Sequence, residues 1–207
     1  MTDADAPIGL RERKKQRTHD DLQEVALRLF TERGYHDVTI EEIAAEAVVA
    51  PRTFYRYFSS KEDLVLGSVD ELIDAITEAF RARPADESVM TSIRSIVLDL
   101  TGQYAHDVET NRIRTAIVAA SPELQQRSAE RQPVMESVIV PFIAERIGRD
   151  PETDLEPRLI ASCTSAAARV AIELWTTHPD GRSLPDHIDD ALRILETGLG
   201  PALRPRT

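Results

Sequence analysis

Residues 39–64, TIEEIAAEAVVAPRTFYRYFSSKEDL, constrain this chain more than any other segment, because two short helices and the turn between them can be read from single side chains. Thr39 and Glu42 have the spacing of a capping box: Thr39 caps the Glu42 amide, Glu42 returns to the Thr39 amide, and a helix starts there. Pro51 has no amide proton and a φ already set for a first helical position, so a second helix, about two turns long, opens at Pro51 after a turn near Val48 and Val49. At about 100° per residue, Phe54 and Phe58 fall on one side of this second helix. Arg52 and Arg56 fall on the other, with Thr53, Tyr55 and Tyr57 between them.

The phenylalanines belong in a core and the remaining side chains face outward. One reading of that outward face is a solvated helix surface. The other is a DNA-reading surface, because arginine forks match guanine edges in the major groove and hydroxyls reach phosphate oxygens. A purely structural helical adaptor would share the periodicity, but it would have no need of the outward Arg, Thr and Tyr set of residues 52–57.

The order of short motifs favours the DNA reading. Gly34-Tyr35 is followed by Thr39-Ile40-Glu41-Glu42-Ile43-Ala44, then Thr53-Phe54-Tyr55-Arg56-Tyr57-Phe58, then Ser60-Lys61-Glu62-Asp63-Leu64. Across residues 11–67 this order resembles the TetR family of transcriptional regulators. The resemblance implies an all-α chain with an N-terminal helix-turn-helix three-helix domain and a C-terminal helical ligand-binding and dimerisation domain. It also implies that Thr39, Tyr55, Tyr57 and Lys61 contact phosphates, with Arg52 and Thr53 nearest the bases, Tyr55 a further candidate there, and Arg56 on the same outward face. Lys61 is expected at the start of the fourth helix, where backbone amides favour an anion. Two positions depart from the family's usual Ala-Gly-Val-Ser turn, which here reads Ala47-Val48-Val49-Ala50. A β-branched Val48 reaches positive φ only with strain, which predicts a strained or re-angled turn. Ala50 lacks the hydroxyl that would cap the second helix, a loss of roughly 1 kcal/mol.

Charge narrows the choice further. The 207 residues carry 25 Lys and Arg against 36 Asp and Glu, which excludes a general nucleic-acid coat protein, since non-specific affinity needs a broad basic surface. The basic charge is local. Arg11, Arg13, Lys14, Lys15 and Arg17 stand against Glu12 just where the first helix begins, and Arg13, Lys14 and Arg17 are expected to form an arm reaching phosphates or the minor groove. A solvated basic tail is the alternative.

Helical periodicity runs through the rest of the chain and strand signals are absent from the sequence. The expected order is a tail over 1–10, the DNA-binding domain over 11–60, and the ligand-binding and dimerisation domain over 61–207. The first helix spans about 11–33, with Leu22, Val25, Ala26, Leu29 and Phe30 buried and Gly34 as its stop. The fourth runs from about Lys61 to Arg83. Further helices are expected near 88–106, 110–120, 122–148, 154–178 and 185–200, the third of these kinked or split by Pro133 and Pro141. On the last two, Leu155, Leu159, Cys163, Ala166, Val170 and Leu174 form one stripe, and Ile188, Ala191, Leu192, Leu195 and Leu199 form another. The resemblance implies that these two helices make a four-helix homodimer interface with a second copy.

The segment from Arg112 to Leu124, followed by Arg127 and Glu130-Arg131, resembles the acyl-CoA-like ligand-binding branch of the same family, near the mycofactocin regulator. Its face of Ile113, Ile117 and Val118 flanked by arginines suits an aliphatic tail with an anionic head; an ordinary core helix with solvated arginines is the alternative. Tyr104, Arg114, Val118, Arg169 and Trp175 are the candidate pocket residues, although Arg169 and Glu173 also have ion-pair spacing. The five histidines lack ligand spacing and Cys163 is alone, so no metal site, cofactor or nucleophilic catalytic pattern is expected. No stretch reaches the roughly 20 apolar residues of a membrane span, and a cytoplasmic, non-enzymatic regulator is the expectation. Its partners would be a palindromic double-stranded operator and a small amphipathic effector. A multidrug-sensing repressor of an efflux gene is the alternative.

Overall fold

The computed structural model describes residues 10–178 and 180–198, without the side chains of 10–12 and 103–106. The expected tail over Met1 to Gly9 and the stripe residue Leu199 lie outside the described residues, whereas Leu10 already lies in the first helix. The described residues form ten helices: α1 (Leu10–Arg33), α2 (Ile40–Glu46), α3 (Pro51–Phe54), α4 (Asp63–Leu66), α5 (Val69–Ala82), α6 (Val89–His106), α7 (Val108–Ala120), α8 (Pro122–Ile147), α9 (Leu155–Thr177) and α10 (Leu184–Thr197). They group into two compact units. One runs to Ser68 and includes Ile117–Ser121; the other comprises Val69–Ala116 and the chain from Pro122 onward. The break falls at Ser68 and not at residue 60, so α4 belongs with the N-terminal helices.

In the N-terminal unit α1 supplies Leu22, Ala26, Leu27, Leu29 and Phe30 to a core closed by Val38, Ile43, Ala44, Phe54, Phe58, Leu64 and Val65, while Val25 is half-buried. The Gly34 amide donates to the Phe30 carbonyl at 2.9 Å where α1 ends. α2 starts at the expected capping box, the Glu42 amide reaching Thr39 Oγ1 at 3.2 Å and the Thr39 amide reaching Glu42 Oε2 at 2.8 Å. It ends in a Schellman motif. The Val49 amide donates to the Ala44 carbonyl at 2.9 Å and the Val48 amide to the Ala45 carbonyl at 3.1 Å. That motif needs a left-handed residue, usually glycine, at the place Val48 occupies, and Val48 adopts it with φ 56°. The turn therefore keeps its shape and takes the strain.

The helix expected over 61–83 is two helices. Gly67, at φ 74° and ψ 172°, separates α4 from α5 in a backbone region that is essentially glycine's own. An added Cβ there would meet nothing within 4 Å, so the preference lies in the backbone alone. Ahead of the break, Asp63 accepts from the amides of Ser59 and Ser60, and its own amide donates to Ser60 Oγ at 3.3 Å.

In the second unit α9 packs against both α8 and α10, α10 against α6, and α5 against α6 and α8. The core gathers Ile76, Phe80, Ile93, Ile96, Ile143, Ala161, Ala171, Trp175, Leu184, Ile188 and Leu192, with the Phe80 and Phe142 rings stacked 5.2 Å apart. Arg146 near the end of α8 ties down the α5–α6 connection, donating to the carbonyls of Arg83, Pro84 and Glu87 and to Ser92 Oγ. α8 runs unbroken through Pro133 and Pro141, so the two-piece alternative does not hold. Burial of Leu124, Ile143 and Ala144 on either side of the prolines carries the helix across the two missing ladder bonds. Ser88 caps α6, and Ser183 with Asp186 forms a capping box at α10.

Replacing Val48 with Gly is expected to stabilise the protein. Relief of the left-handed Cβ clash is worth about 1–2 kcal/mol, and the larger unfolded-state freedom of glycine takes back about 0.5–1 kcal/mol. The urea midpoint of Val48→Gly should rise with an unchanged m-value; a fall would contradict the strain.

Candidate nucleic-acid interface

α3 is held by what it buries. Ala50, its N-cap residue, makes no side-chain cap bond, as its methyl group dictates, and the Thr53 amide reaches the Ala50 carbonyl at 2.7 Å. After Phe54 the helix tightens, the amides of Arg56 and Tyr57 bonding to the carbonyls of Thr53 and Phe54, so the regular part is shorter than two turns. Phe54 is 0 % exposed and its ring lies 5.5 Å from that of Phe58, on which His19 of α1 stacks at 4.6 Å. The opposite face is outward, as expected. Arg52, Tyr55 and Arg56 are exposed and Thr53 and Tyr57 half-buried, with Tyr55 58 % exposed. Arg56 is preorganised on its neighbour: its guanidinium lies 4.8 Å from the Tyr57 ring centroid and donates to Tyr57 Oη at 2.8 Å.

Two of the expected phosphate contacts are engaged within the protein. Thr39 spends both its amide and its hydroxyl proton on Glu42, each at 2.8 Å. Glu42 also accepts from Arg33 at 2.7 Å. The Thr39 amide, the Arg33 guanidinium and the Thr39 hydroxyl together hold the Glu42 carboxyl down to about 2. Lys61 lies ahead of α4, not within it, and is half-buried. Its ammonium donates to the carbonyls of Tyr35 at 2.9 Å and Val38 at 3.0 Å and sits 4.1 Å over the Tyr35 ring. An ammonium has three N–H donors, so one remains beyond these two bonds. Spacing alone does not reveal this strut, because the accepting carbonyls lie 26 and 23 residues away.

Arg13, Lys14 and Arg17 are exposed, but the basic run lies on α1 itself, which begins at Leu10. The expected arm is thus a helical face. Residues 10–17, LRERKKQR, hold no Gly or Pro, so nothing in them interrupts the helix.

Two of the five pocket candidates, Trp175 and Arg169, lie on different sides of α9. Trp175 belongs to the core of the second unit, whereas Arg169 is exposed and paired with Glu173 at 3.6 Å. Six positions apart on α9, the two point roughly 120° from each other. Arg114 is half-buried on α7, with Nη1 3.5 Å from Asn111 Oδ1. Val118 is half-buried and falls in the part of α7 grouped with the N-terminal unit. Tyr104 lies on α6, its side chain outside the described residues. No helix among the described residues is long and apolar enough to cross a membrane.

Residues 22–67 match the family described as bacterial regulatory proteins, tetR family, and residues 87–200 match the family described as MftR C-terminal domain. The chain is 34% identical over 179 residues to the HTH-type transcriptional regulator TcmR of Streptomyces glaucescens, spanning 83% of this chain and 79% of TcmR. Among solved structures, FadR from Bacillus subtilis in complex with stearoyl-CoA has a TM-score of 0.60 at 18% identity, covering 86% of this chain and 97% of that one. NalD, the secondary repressor of the MexAB-OprM multidrug efflux pump in Pseudomonas aeruginosa, has a TM-score of 0.59 at 18% identity, covering 90% and 97%. At these identities the two structures share the fold.

Glu42 gives the interface a pH dependence whose sign is fixed. Its carboxyl is depressed from 4.5 to about 2 in the folded protein. The stabilisation is therefore complete above the unfolded value and is lost as pH falls through the folded one. Glu42→Gln keeps an acceptor for the Thr39 amide but removes the charge. The stability difference between wild type and Glu42→Gln should shrink between pH 4.5 and 2, read from urea midpoints; a pH-independent difference would remove the charge from the account.

Proposed function

The chain belongs to the tetR family of bacterial regulatory proteins, and we propose that it is a homodimeric one-component repressor that leaves a palindromic operator when an amphipathic, acyl-CoA-like ligand enters its C-terminal unit. The family makes it a transcriptional regulator. The observation that carries the DNA reading is the division of α3 and the turn after it into a buried Phe54–Phe58 side and an outward side of Arg52, Thr53, Tyr55 and Arg56. In this reading Arg52, Thr53 and Tyr55 meet base edges, and Thr39, Arg56, Tyr57 and Lys61, with Arg13, Lys14 and Arg17 on α1, meet phosphates.

The homodimer rests on α9. Pro157, Ala161, Thr164, Ala171 and Trp175 form its buried side. Leu155, Leu159, Val170 and Leu174 stand exposed on the opposite side, Leu155 at 71 %, with Cys163 and Ala166 half-buried among them and Ile194 exposed on α10. A monomer seldom leaves such a stripe in water. A second copy would cover it, and a palindromic operator needs two copies of the α3 reading helix, one for each half-site.

The ligand class is supported by the apolar Ile113, Ile117 and Val118 beside Arg112 and Arg114, and by the bound stearoyl-CoA of the Bacillus subtilis FadR fold. The likeness to NalD supports a second reading, a hydrophobic drug as effector and an efflux gene as target.

Leu174→Glu should convert the dimer to monomer in sedimentation velocity at micromolar concentration while helicity is kept. A monomeric wild type, or a variant that remains dimeric, would remove the α9 interface.

The ligand claim is tested on a protein–duplex complex, with Tyr55→Ala as the control for the DNA face. Tyr55→Ala should weaken duplex binding without changing helicity or dimerisation. Long-chain acyl-CoAs of graded length should then release wild type from DNA. A hundredfold weakening corresponds to about 3 kcal/mol, and by linkage DNA must weaken acyl-CoA binding equally. Release by hydrophobic drugs and by no acyl-CoA would favour the second reading.

A further inference from the structure

α2 and α8 end in the same hydrogen-bonded motif. At α8 the Arg149 amide donates to the Ala144 carbonyl at 3.0 Å and the Gly148 amide to the Glu145 carbonyl at 3.4 Å, matching the Val49–Ala44 and Val48–Ala45 bonds at α2. The left-handed residue is Gly148 at φ 65° in one case and Val48 at φ 56° in the other. Among the described residues Val48 is the one non-glycine with positive φ. Its side chain is 90 % exposed, so packing within the protein returns almost nothing for the strain. The hydrogen bonds of the turn hold the strained backbone in place, and strain of this kind clusters at sites that contact a ligand. Val48 stands two residues ahead of Ala50, the cap of α3.

We propose that Val48 is a DNA-contacting residue whose isopropyl group lies against the C–H surface of the operator at the rim of the major groove, and so contributes to sequence preference. This rests on the reading of α3 as the recognition helix. In that docking the start of the second helix enters the groove while the first crosses the backbone, which brings the turn between them to the groove wall. Valine offers no hydrogen-bonding group, so its partner is apolar: a thymine methyl or a deoxyribose edge.

The test uses a duplex selected by the wild-type protein from a random-sequence library, with affinities measured for wild type, Val48→Ala and Val48→Gly at fixed salt. Val48→Ala decides, because it keeps a Cβ in the strained turn and removes two methyl groups. It should bind about tenfold more weakly with the same salt slope, since no charge is lost. Val48→Gly should be at least as weak despite its greater stability. Replacing each thymine of the duplex by uracil separates the two partners. A position where wild type loses what Val48→Ala has already lost identifies a thymine methyl; no such position, with Val48→Ala still weak, identifies deoxyribose. Val48→Ala binding within twofold of wild type would overturn this inference and leave the DNA reading standing. A wild type that selects no duplex would overturn both.

Discussion

The burial of Phe54 fixes what α3 presents. A helix of four residues has no stability of its own, because nucleation costs more than so few ladder bonds return. It exists here because Phe54 and Phe58 enter the core formed by α1, α2 and α4, with His19 stacked on Phe58. Once those two rings are fixed, the rotation of α3 about its axis is fixed too. Arg52, Tyr55 and Arg56 then have only the solvent side to occupy. The same constraint reaches the side chains: Arg56 lies on the Tyr57 ring, and Tyr55 meets Phe54 edge-on at 5.4 Å. The outward face thus carries groups whose freedom is reduced before any partner arrives, which lowers the entropy lost on binding.

Where a boundary has its own local chemistry, the sequence shows it. Thr39 with Glu42, Gly34, Pro51, and Pro122 at the start of α8 each mark a helix end that the structure places within a residue or two. The Val48 strain was legible for the same reason, since a β-branched residue stood where the motif asks for glycine. Gly67 was not legible. A single glycine inside a helical pattern costs about 1 kcal/mol, so periodicity reads straight through it. Pro133 and Pro141 failed in the opposite direction, as strong local breakers overridden by burial on both sides. A ligand pocket is harder to read, because a cavity is assembled from separate helices, whereas sequence reasoning sees one helix at a time. Arg169 and Trp175 share α9 yet lie on different faces of it.

α9 shows how one helix serves two surfaces. At about 100° per residue, the outer stripe of Leu155, Leu159, Val170 and Leu174 is centred roughly 145° around the helix from the inner stripe of Pro157, Ala161, Thr164, Ala171 and Trp175. Ala161 and Ala171 on the inner stripe are small, which lets α8 and α10 pack closely. The outer stripe is built of leucine and valine, as a surface meant to be covered would be. Polar ties then hold the inner packing in register: Ser162 Oγ donates to Glu136 of α8 at 2.6 Å, and Arg94 of α6 pairs with Asp189 and Glu196 of α10.

The structural bonds of Lys61 are compatible with the phosphate contact proposed for it. Its ammonium joins the segment after α1, through the carbonyls of Tyr35 and Val38, to the start of α4, and so helps close the unit that carries α3. Two donors are used in that strut and one remains. A phosphate at the third would leave the two carbonyl bonds intact and would compete only with the Tyr35 ring beneath the ammonium. Thr39 differs. Its amide and hydroxyl protons are both committed to Glu42, whose carboxylate is stabilised by the same bonds, so a phosphate contact from that hydroxyl would have to compete with the capping box. The phosphate contact proposed for Lys61 therefore has little structural cost, while Thr39 holds the start of α2, and the contact proposed for it would require giving up part of that cap.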